Sequence, residues 1–200
     1  MDDGSTDSSV AKIRKFIEGD NRFRLICNYN HGVAYSRNTG IEAADTEFIL
    51  PLDSDDYFEC TYVERAVKHF EAFPDTTLFY GKWHFIGYNE DEMNARLSSL
   101  HYTSYENLLI GNSIHCSCVF RKKDAIERGM YDSTLDGFED WEFLIRLLYR
   151  DRSVTYDPTV SLFYRQLCDA RSTTSNQNFG RIRQEIMEKN MSIYKEVFGR

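Results

Sequence analysis

The stretch EFILPLDSDD, residues 47–56, joins an apolar run to an acidic cluster and carries most of the information about the fold. The run EFILPL predicts a buried strand over residues 47–52. Three carboxylates follow it directly, on Asp53, Asp55 and Asp56. In open α/β sheets, ligands bind beyond the carboxyl ends of the strands. We therefore expect the acidic cluster to lie at a ligand site.

The chemistry of that cluster favours a divalent metal. Closely packed carboxylates repel one another, so they are stable when they fan into water, cap a helix or share a cation. Mg²⁺ and Mn²⁺ take one or two carboxylates and complete their coordination with water and phosphate oxygens. Asp53, Asp55 and Asp56 are the predicted ligands. In the alternative interpretation, Asp56 or Glu59 only caps the helix that follows.

A second acidic stretch, MDDGSTDSS, opens the chain at residues 1–9. Asp, Gly and Ser favour tight turns, and the Ser/Thr/Asp run precedes the helical pattern VAKIRKFIEG, residues 10–19. A turn followed by a helix cap accounts for the later residues of this stretch. It leaves Asp2, Asp3 and Gly4 without a role.

The third acidic point is DGFEDWEF, residues 136–143, where Glu139 and Asp140 begin an amphipathic helix. Carboxylates in a first helical turn are stabilised by the helix dipole, so both residues could act only as caps. The neighbouring residues Gly137, Phe138 and Trp141 instead suit the wall of a pocket around a carboxylate that accepts a proton. Both interpretations stay open from the residues alone.

Composition limits the class of protein. The 200 residues are 42% hydrophobic, which is enough for one domain with a core. The net charge of −8 argues against nucleic acid as a partner. The odd number of cysteines, without a C-x-x-C pair, indicates reduced thiols rather than a disulfide framework or a zinc site; they are Cys27, Cys60, Cys116, Cys118 and Cys168. No apolar run approaches the roughly 20 residues that span a bilayer.

Short apolar runs alternate with helical patterns along the chain, which is typical of an α/β sheet protein. The predicted strands are residues 22–28, 47–52, 77–88, 113–120 and 153–166, the last interrupted by a turn at Pro158. The predicted helices are residues 10–19, 32–44, 61–73, 104–111, 139–151 and 181–198. The histidines at positions 84, 101 and 115 have no partner at metal-binding spacing and are expected to be packing or surface residues.

Taken in order and spacing, five motifs resemble the family 2 inverting glycosyltransferases of the GT-A fold: DDGSTDSS, NHGVAYSRNTGIEAA, FILPLDSDD, GFEDWEF and YRQ. The resemblance implies an α/β fold with a mostly parallel twisted sheet flanked by helices. It implies one domain over residues 1–200, with a nucleotide and metal part in 1–58, an acceptor and base region in 100–175 and a C-terminal helix in 176–200. It also implies that the family's first strand and helix are missing before residue 1.

The resemblance assigns a role to each matching residue. The nucleotide and donor contacts would be Asp2, Asp3, Gly32, Arg37 and Asp53. The metal would lie on Asp55 and Asp53, with Asp56 adjoining. Asp140 would be the catalytic base, supported by Glu139. Arg165, or alternatively Arg171, would close over the diphosphate.

The implied activity is transfer of a sugar, with inversion, from a nucleoside-diphosphate sugar, expected to be a UDP-sugar. The acceptor would be a hydroxyl of a saccharide or a lipid-linked saccharide, in cell-surface polysaccharide synthesis, with Mn²⁺ or Mg²⁺ as cofactor. The expected location is cytoplasmic, with peripheral association at the inner face of the membrane.

Two rival functions fit parts of the same sequence. A truncated, inactive domain would only bind a nucleotide sugar or a carbohydrate. A phosphohydrolase of the D-x-D-G-T type is disfavoured, because that motif separates its two aspartates by one residue and Asp2 and Asp3 are adjacent.

Overall fold

The computed structural model describes residues 1–87, 90–97, 101–150, 153–166 and 178–199. The helices are α1 Ser9–Phe16, α2 Val33–Ala43, α3 Tyr62–Ala72, α4 Glu90–Leu97, α5 Tyr105–Ile110, α6 Lys122–Glu127, α7 Glu139–Leu147, α8 Phe179–Lys189 and α9 Met191–Phe198. The strands are β1 Phe48–Ile49, β2 Tyr57–Phe58, β3 Thr76–Gly87, β4 Val119–Arg121 and β5 Ser153–Gln166. In the parts of the chain so described, no helix is long and apolar enough to cross a bilayer.

The five strands form one sheet in the order β1-β4-β3-β5-β2. The long central pairing of β3 with β5 is parallel. The three short pairings, β1 with β4, β3 with β4 and β2 with β5, are antiparallel. The predicted α/β class is thus confirmed. The sheet is mixed, because the short strands β1, β2 and β4 pair in antiparallel fashion, whereas the long strands β3 and β5 are parallel to each other.

The acidic motif lies on a loop that joins opposite edges of this sheet. β1 and β2 are the two edge strands, and residues 50–56 connect them. The loop contains a turn, in which the Asp56 backbone N–H donates to the Asp53 carbonyl at 3.1 Å. It carries the acidic residues from one edge strand of the sheet to the other.

Helix α7 is deeply buried beside the sheet. Trp141, Phe143 and Ile145 are almost completely inaccessible to solvent. The chain enters this helix through Gly137 at φ 119° and Phe138 at φ 54°, a left-handed conformation that glycine adopts freely and phenylalanine rarely. The packing of this buried face holds α7 against the core, and so it also sets the position of Glu139 and Asp140, the first two residues of the helix.

Several strand predictions are only partly confirmed. Within residues 22–28, the described structure has a single parallel bridge, between Cys27 and Asp2. The predicted strand over 47–52 is reduced to Phe48–Ile49, since Pro51 lacks the N–H that a ladder needs. Only Val119–Arg121 is a strand within 113–120.

Two other predictions are correct only in part. β5 is one strand across Pro158, but its pairing with β3 is interrupted there, because Gly81 pairs with Asp157 and the next residue, Lys82, pairs with Ser161. The predicted helix over 181–198 is two helices separated at Asn190. The Asn190 side chain donates hydrogen bonds to the Ile186 carbonyl and to Glu142, and this side chain fixes the break.

Candidate active site

The N-terminal turn is held by the buried side chain of Asp2. Its Oδ2 accepts hydrogen bonds from the backbone N–H of Gly4 and of Ser5, both at 3.3 Å. Gly4 has φ 85°, and a Cβ there would lie 2.8 Å from the Asn30 nitrogen, so the turn requires glycine. Asp2 thus stabilises the turn, and its predicted contact with a nucleotide stays a prediction.

Asp3 ties this turn to the loop that precedes α2. Its carboxylate accepts hydrogen bonds from the backbone N–H of His31 at 3.0 Å and of Gly32 at 2.8 Å. Burial alone would raise the pKa of Asp3, but these hydrogen bonds outweigh it and hold the pKa below its usual value. Gly32, at φ 90°, is the N-cap residue of α2. The turn therefore helps to position the helix that carries Arg37.

Arg37 connects the loop over residues 50–56, called the acidic loop below, to the start of α7. Its guanidinium donates to Asp53 Oδ1 at 2.8 Å and to Glu139 Oε1 at 3.0 Å. It also lies 3.6 Å from the Cys116 thiol and 5.5 Å from the centroid of the Tyr131 ring. Burial would lower its pKa, but the neighbouring Asp53 carboxylate raises it, so the side chain is a cation. Two predicted site motifs thus meet at one guanidinium.

Asp140 lies next to this ion pair. Asn112 Nδ2 donates to its Oδ2 at 3.2 Å. Burial, followed by the charge of Glu139, raises the pKa of Asp140 to about 6. The N-cap residue of α7 is Phe138 and no side chain caps the helix there, so neither Glu139 nor Asp140 is the N-cap residue; both lie in the first turn, where the helix dipole stabilises carboxylates.

The three carboxylates of the acidic loop have different surroundings. Asp53 binds Arg37, as described, while Asp55 is exposed. Asp56 is buried, and its Oδ1 accepts a hydrogen bond from the backbone N–H of Arg165 at 2.8 Å. Burial raises the pKa of Asp56 to about 6. The α3 N-cap is Thr61 without a side-chain cap bond, so the alternative role of Asp56 or Glu59 as a cap is wrong.

The described residues contain no group of three or more His, Cys, Asp or Glu side chains arranged to hold a metal ion. Asp53, Asp55 and Asp56 therefore do not form a preassembled three-carboxylate site. The exposed Asp55 is compatible with an ion that takes most of its ligands from phosphate and water. The predicted diphosphate contact Arg165 is exposed and binds the Asp55 carbonyl through Nε at 3.2 Å. Its alternative, Arg171, lies outside the described residues.

The segment 112–117 lies in the predicted acceptor region 100–175, but the sequence does not identify Asn112 or Cys116 as site residues. It brings Asn112 to Asp140, and it brings the Cys116 thiol to 3.9 Å from Asp53 Oδ2. His115 packs against Trp83 and Tyr164, and burial lowers its pKa to about 4. The alternation of this segment resembles a strand and gives no spacing signal for a site. The side chains of this segment come close to Asp53 and Asp140 only when the chain is folded.

Comparison with known sequences identifies the family. The sequence profile described as "Glycosyl transferase family 2" matches residues 1–129. An uncharacterized glycosyltransferase of Haemophilus influenzae is 28% identical over 167 residues, which cover 82% of this chain and 65% of that protein. The Escherichia coli UDP-Glc:alpha-D-GlcNAc-diphosphoundecaprenol beta-1,3-glucosyltransferase WfaP is 26% identical over 195 residues, covering 96% and 73%.

Solved structures share the GT-A fold. S. aureus TarS 1-349 in complex with UDP-GlcNAc has a TM-score of 0.66 at 15% identity, over 86% of this chain and 50% of that one. The mannosyltransferase PcManGT of Pyrobaculum calidifontis, in complex with GDP-Man and Mn²⁺, has a TM-score of 0.66 at 15% identity, over 96% and 53%. The chain spans about half the length of these structures. Because the family profile matches well over half of the sequence, the chain belongs to glycosyltransferase family 2.

Proposed function

We propose that this chain transfers a sugar, with inversion, from a UDP-sugar to a hydroxyl of a saccharide or lipid-linked saccharide in cell-surface polysaccharide synthesis. The observation that carries the proposal is the pair of contacts made by Arg37, which join Asp53 of the acidic loop to Glu139 at the start of α7. A donor carboxylate and a base on opposite sides of a reacting carbon must be held at a fixed separation. A buried cation between the two motifs meets that requirement.

In this proposal Asp140 is the general base. Its pKa of about 6 leaves it ionised at neutral pH and still basic enough to accept the proton of an acceptor hydroxyl. Such proton transfer contributes ~10² to 10⁴ in rate. Glu139 keeps Arg37 in place, and Asp53 orients the ribose or sugar of the donor. A single in-line displacement then inverts the anomeric carbon.

The proposal includes Mn²⁺ or Mg²⁺. Asp55 would hold the ion together with the diphosphate, and the ion would stabilise the negative charge of the leaving nucleoside diphosphate. Support comes from the exposure of Asp55 after a strand and from the Mn²⁺ in the PcManGT complex. The division into a nucleotide part, 1–58, and an acceptor part, 100–175, of one domain belongs to the same proposal.

The choice of substrates rests on related proteins. WfaP is named for UDP-Glc and a diphosphoundecaprenol-linked acceptor, and TarS was solved with UDP-GlcNAc. The test offers the chain UDP-Glc, UDP-GlcNAc or GDP-Man with Mn²⁺ and GlcNAc-diphosphoundecaprenol, and follows release of nucleoside diphosphate. Acceptor-dependent release from a UDP-sugar, with an inverted anomeric centre in the product, is the expected result. Binding of a nucleotide sugar without any release would instead indicate the non-catalytic binding domain.

A further inference from the structure

Asp56 stands at the point where the backbone ladder between β2 and β5 ends. Tyr57 pairs with Phe163, and Phe58 pairs with Leu162. Continued one step, this register would bring Asp56 opposite Tyr164. The chain leaves the ladder there, because Asp56 N–H turns back to the Asp53 carbonyl at 3.1 Å. The next strand N–H, that of Arg165, therefore needs another acceptor.

The Asp56 carboxylate is that acceptor. Its Oδ1 receives the Arg165 backbone N–H at 2.8 Å, and the Arg165 side chain in turn donates from Nε to the Asp55 carbonyl at 3.2 Å. Two adjacent residues of the acidic loop are thus bound to one residue of β5. The stacked rings of Tyr57 and Phe163, 4.7 Å apart, secure the same junction one residue further along.

We propose that Asp56 is a positioning residue that fastens the acidic loop to β5 and thereby holds Asp55 in place, rather than a ligand of the metal. The inference rests on the proposed function, in which Asp55 and the diphosphate share a divalent ion. Oδ1 of Asp56 is already engaged, and the whole side chain is buried while Asp55 is exposed. Oδ2 is buried without a hydrogen-bond partner among the described residues, so it is the only atom of this carboxylate left for an ion.

Two substitutions of Asp56 distinguish a positioning residue from a metal ligand. Asp56→Asn retains an oxygen that accepts the Arg165 N–H, but an amide is a poor ligand for Mn²⁺ in place of a carboxylate. Asp56→Ala removes the acceptor altogether. The readout is the dissociation constant of UDP, measured by calorimetry with Mn²⁺ and again with EDTA, because the ratio of the two values isolates the contribution of the metal.

We expect Asp56→Asn to keep the Mn²⁺-dependent gain in UDP affinity within about threefold of the original protein. Asp56→Ala loses about tenfold or more of that gain, the scale of one hydrogen bond to a charged group, while binding in EDTA stays unchanged. Asp157→Ala is the matched control. Asp157 lies on the same strand as Arg165, and its carboxylate accepts hydrogen bonds from the backbone N–H of Thr159 and from the Arg65 side chain of α3. Its loss therefore lowers stability and leaves the Mn²⁺-dependent gain in UDP affinity intact.

The proposal is overturned if Asp56→Asn abolishes the metal gain, as a ligand would, or if Asp56→Ala preserves it. Either result requires that the unsubstituted chain binds UDP more tightly with Mn²⁺. Absence of that gain in the unsubstituted chain would instead refute the proposed metal-dependent donor site, so the two failures are distinct.

Discussion

Arg37 donates a 3.0 Å hydrogen bond to Glu139, a residue 102 positions away in the sequence, and both side chains are buried, with 12% and 8% of their surfaces exposed. Removing one member of a buried ion pair leaves the other as an uncompensated charge, and this costs roughly 3–5 kcal/mol. The contact therefore matters to stability as well as to the site.

We expect Arg37→Ala to lower the free energy of unfolding by roughly 3–5 kcal/mol, because the buried Glu139 then loses its ion pair with Arg37. Urea unfolding followed by circular dichroism measures the change. The double variant Arg37→Ala/Glu139→Gln should recover part of the loss, since the buried charge is gone. If the double variant is no more stable than Arg37→Ala, the pair does not carry the effect.

Asp140→Asn tests the general base. An amide keeps the size of the side chain and still accepts the hydrogen bond from Asn112, so stability should stay within about 1 kcal/mol. It cannot accept a proton at neutral pH, and we expect the transfer rate to fall by ~10² or more. Initial rates of acceptor-dependent UDP release, with UDP affinity as the folding control, decide the matter. Transfer at nearly the original rate would show that another group is the base.

The pH dependence of transfer should follow Asp140. The carboxyl must be ionised to act, and its ionised fraction grows as the pH rises through its pKa of about 6, so kcat/KM should rise up to that pH and then level off. Glu139→Gln should move the midpoint to lower pH, because the charge of Glu139 contributes to the raised pKa. The profile is measured from about pH 4.5 to about pH 8.

Asp56→Asn is the control for that profile, because burial also raises the pKa of Asp56 to about 6. This variant should leave the midpoint where it is. A midpoint that moves with Asp56 and ignores Glu139 would assign the pH dependence to the acidic loop instead of the base.

Asp55→Ala should remove the effect of Mn²⁺ on UDP affinity without unfolding the chain, because the Asp55 side chain is exposed and its backbone carbonyl, not its carboxylate, binds Arg165. Calorimetry with Mn²⁺ or EDTA gives the comparison, and the melting temperature confirms folding. Persistence of the full Mn²⁺ effect would exclude Asp55 as the ligand.

Gly81→Ala tests the central parallel pairing. A Cβ at position 81 would lie 2.5 Å from the Val160 carbonyl oxygen and 2.8 Å from the ring of Tyr62, so the strands would have to separate. Overpacking of this kind typically costs about 1–3 kcal/mol. The melting temperature should fall clearly, whereas Gly180→Ala, where a Cβ meets nothing within 4 Å, should not lower it.

Sequence patterns anticipated those features that depend on neighbours along the chain. The amphipathic periodicity of residues 61–73 gave helix α3, found at Tyr62–Ala72, within one residue at each end. The apolar run at 77–88 gave β3, found at Thr76–Gly87. In both cases the residues that determine the element lie inside it.

Features that depend on distant partners were not predictable in the same way. β5 continues past Pro158 because β3 supplies a parallel neighbour whose register can shift at Gly81. The helix break at Asn190 depends on Glu142, a buried acceptor from another helix. The same holds in the site. The acidic motifs can be recognised in the sequence. The sequence does not show that Arg37 binds both Asp53 and Glu139, or that the Cys116 thiol lies beside Arg37.

The loop over residues 50–56 has a consequence for folding. Its two ends are held by strands that pair with remote parts of the chain, Phe48 with Arg121 and Tyr57 with Phe163. Contacts of such long sequence separation form slowly, because a large loop must close before they are gained. During synthesis, β2 has no partner until β5 has left the ribosome. The acidic loop therefore reaches its final conformation late in folding. We expect nucleotide affinity to appear only when the whole chain has folded, and not when the first hundred residues alone are present.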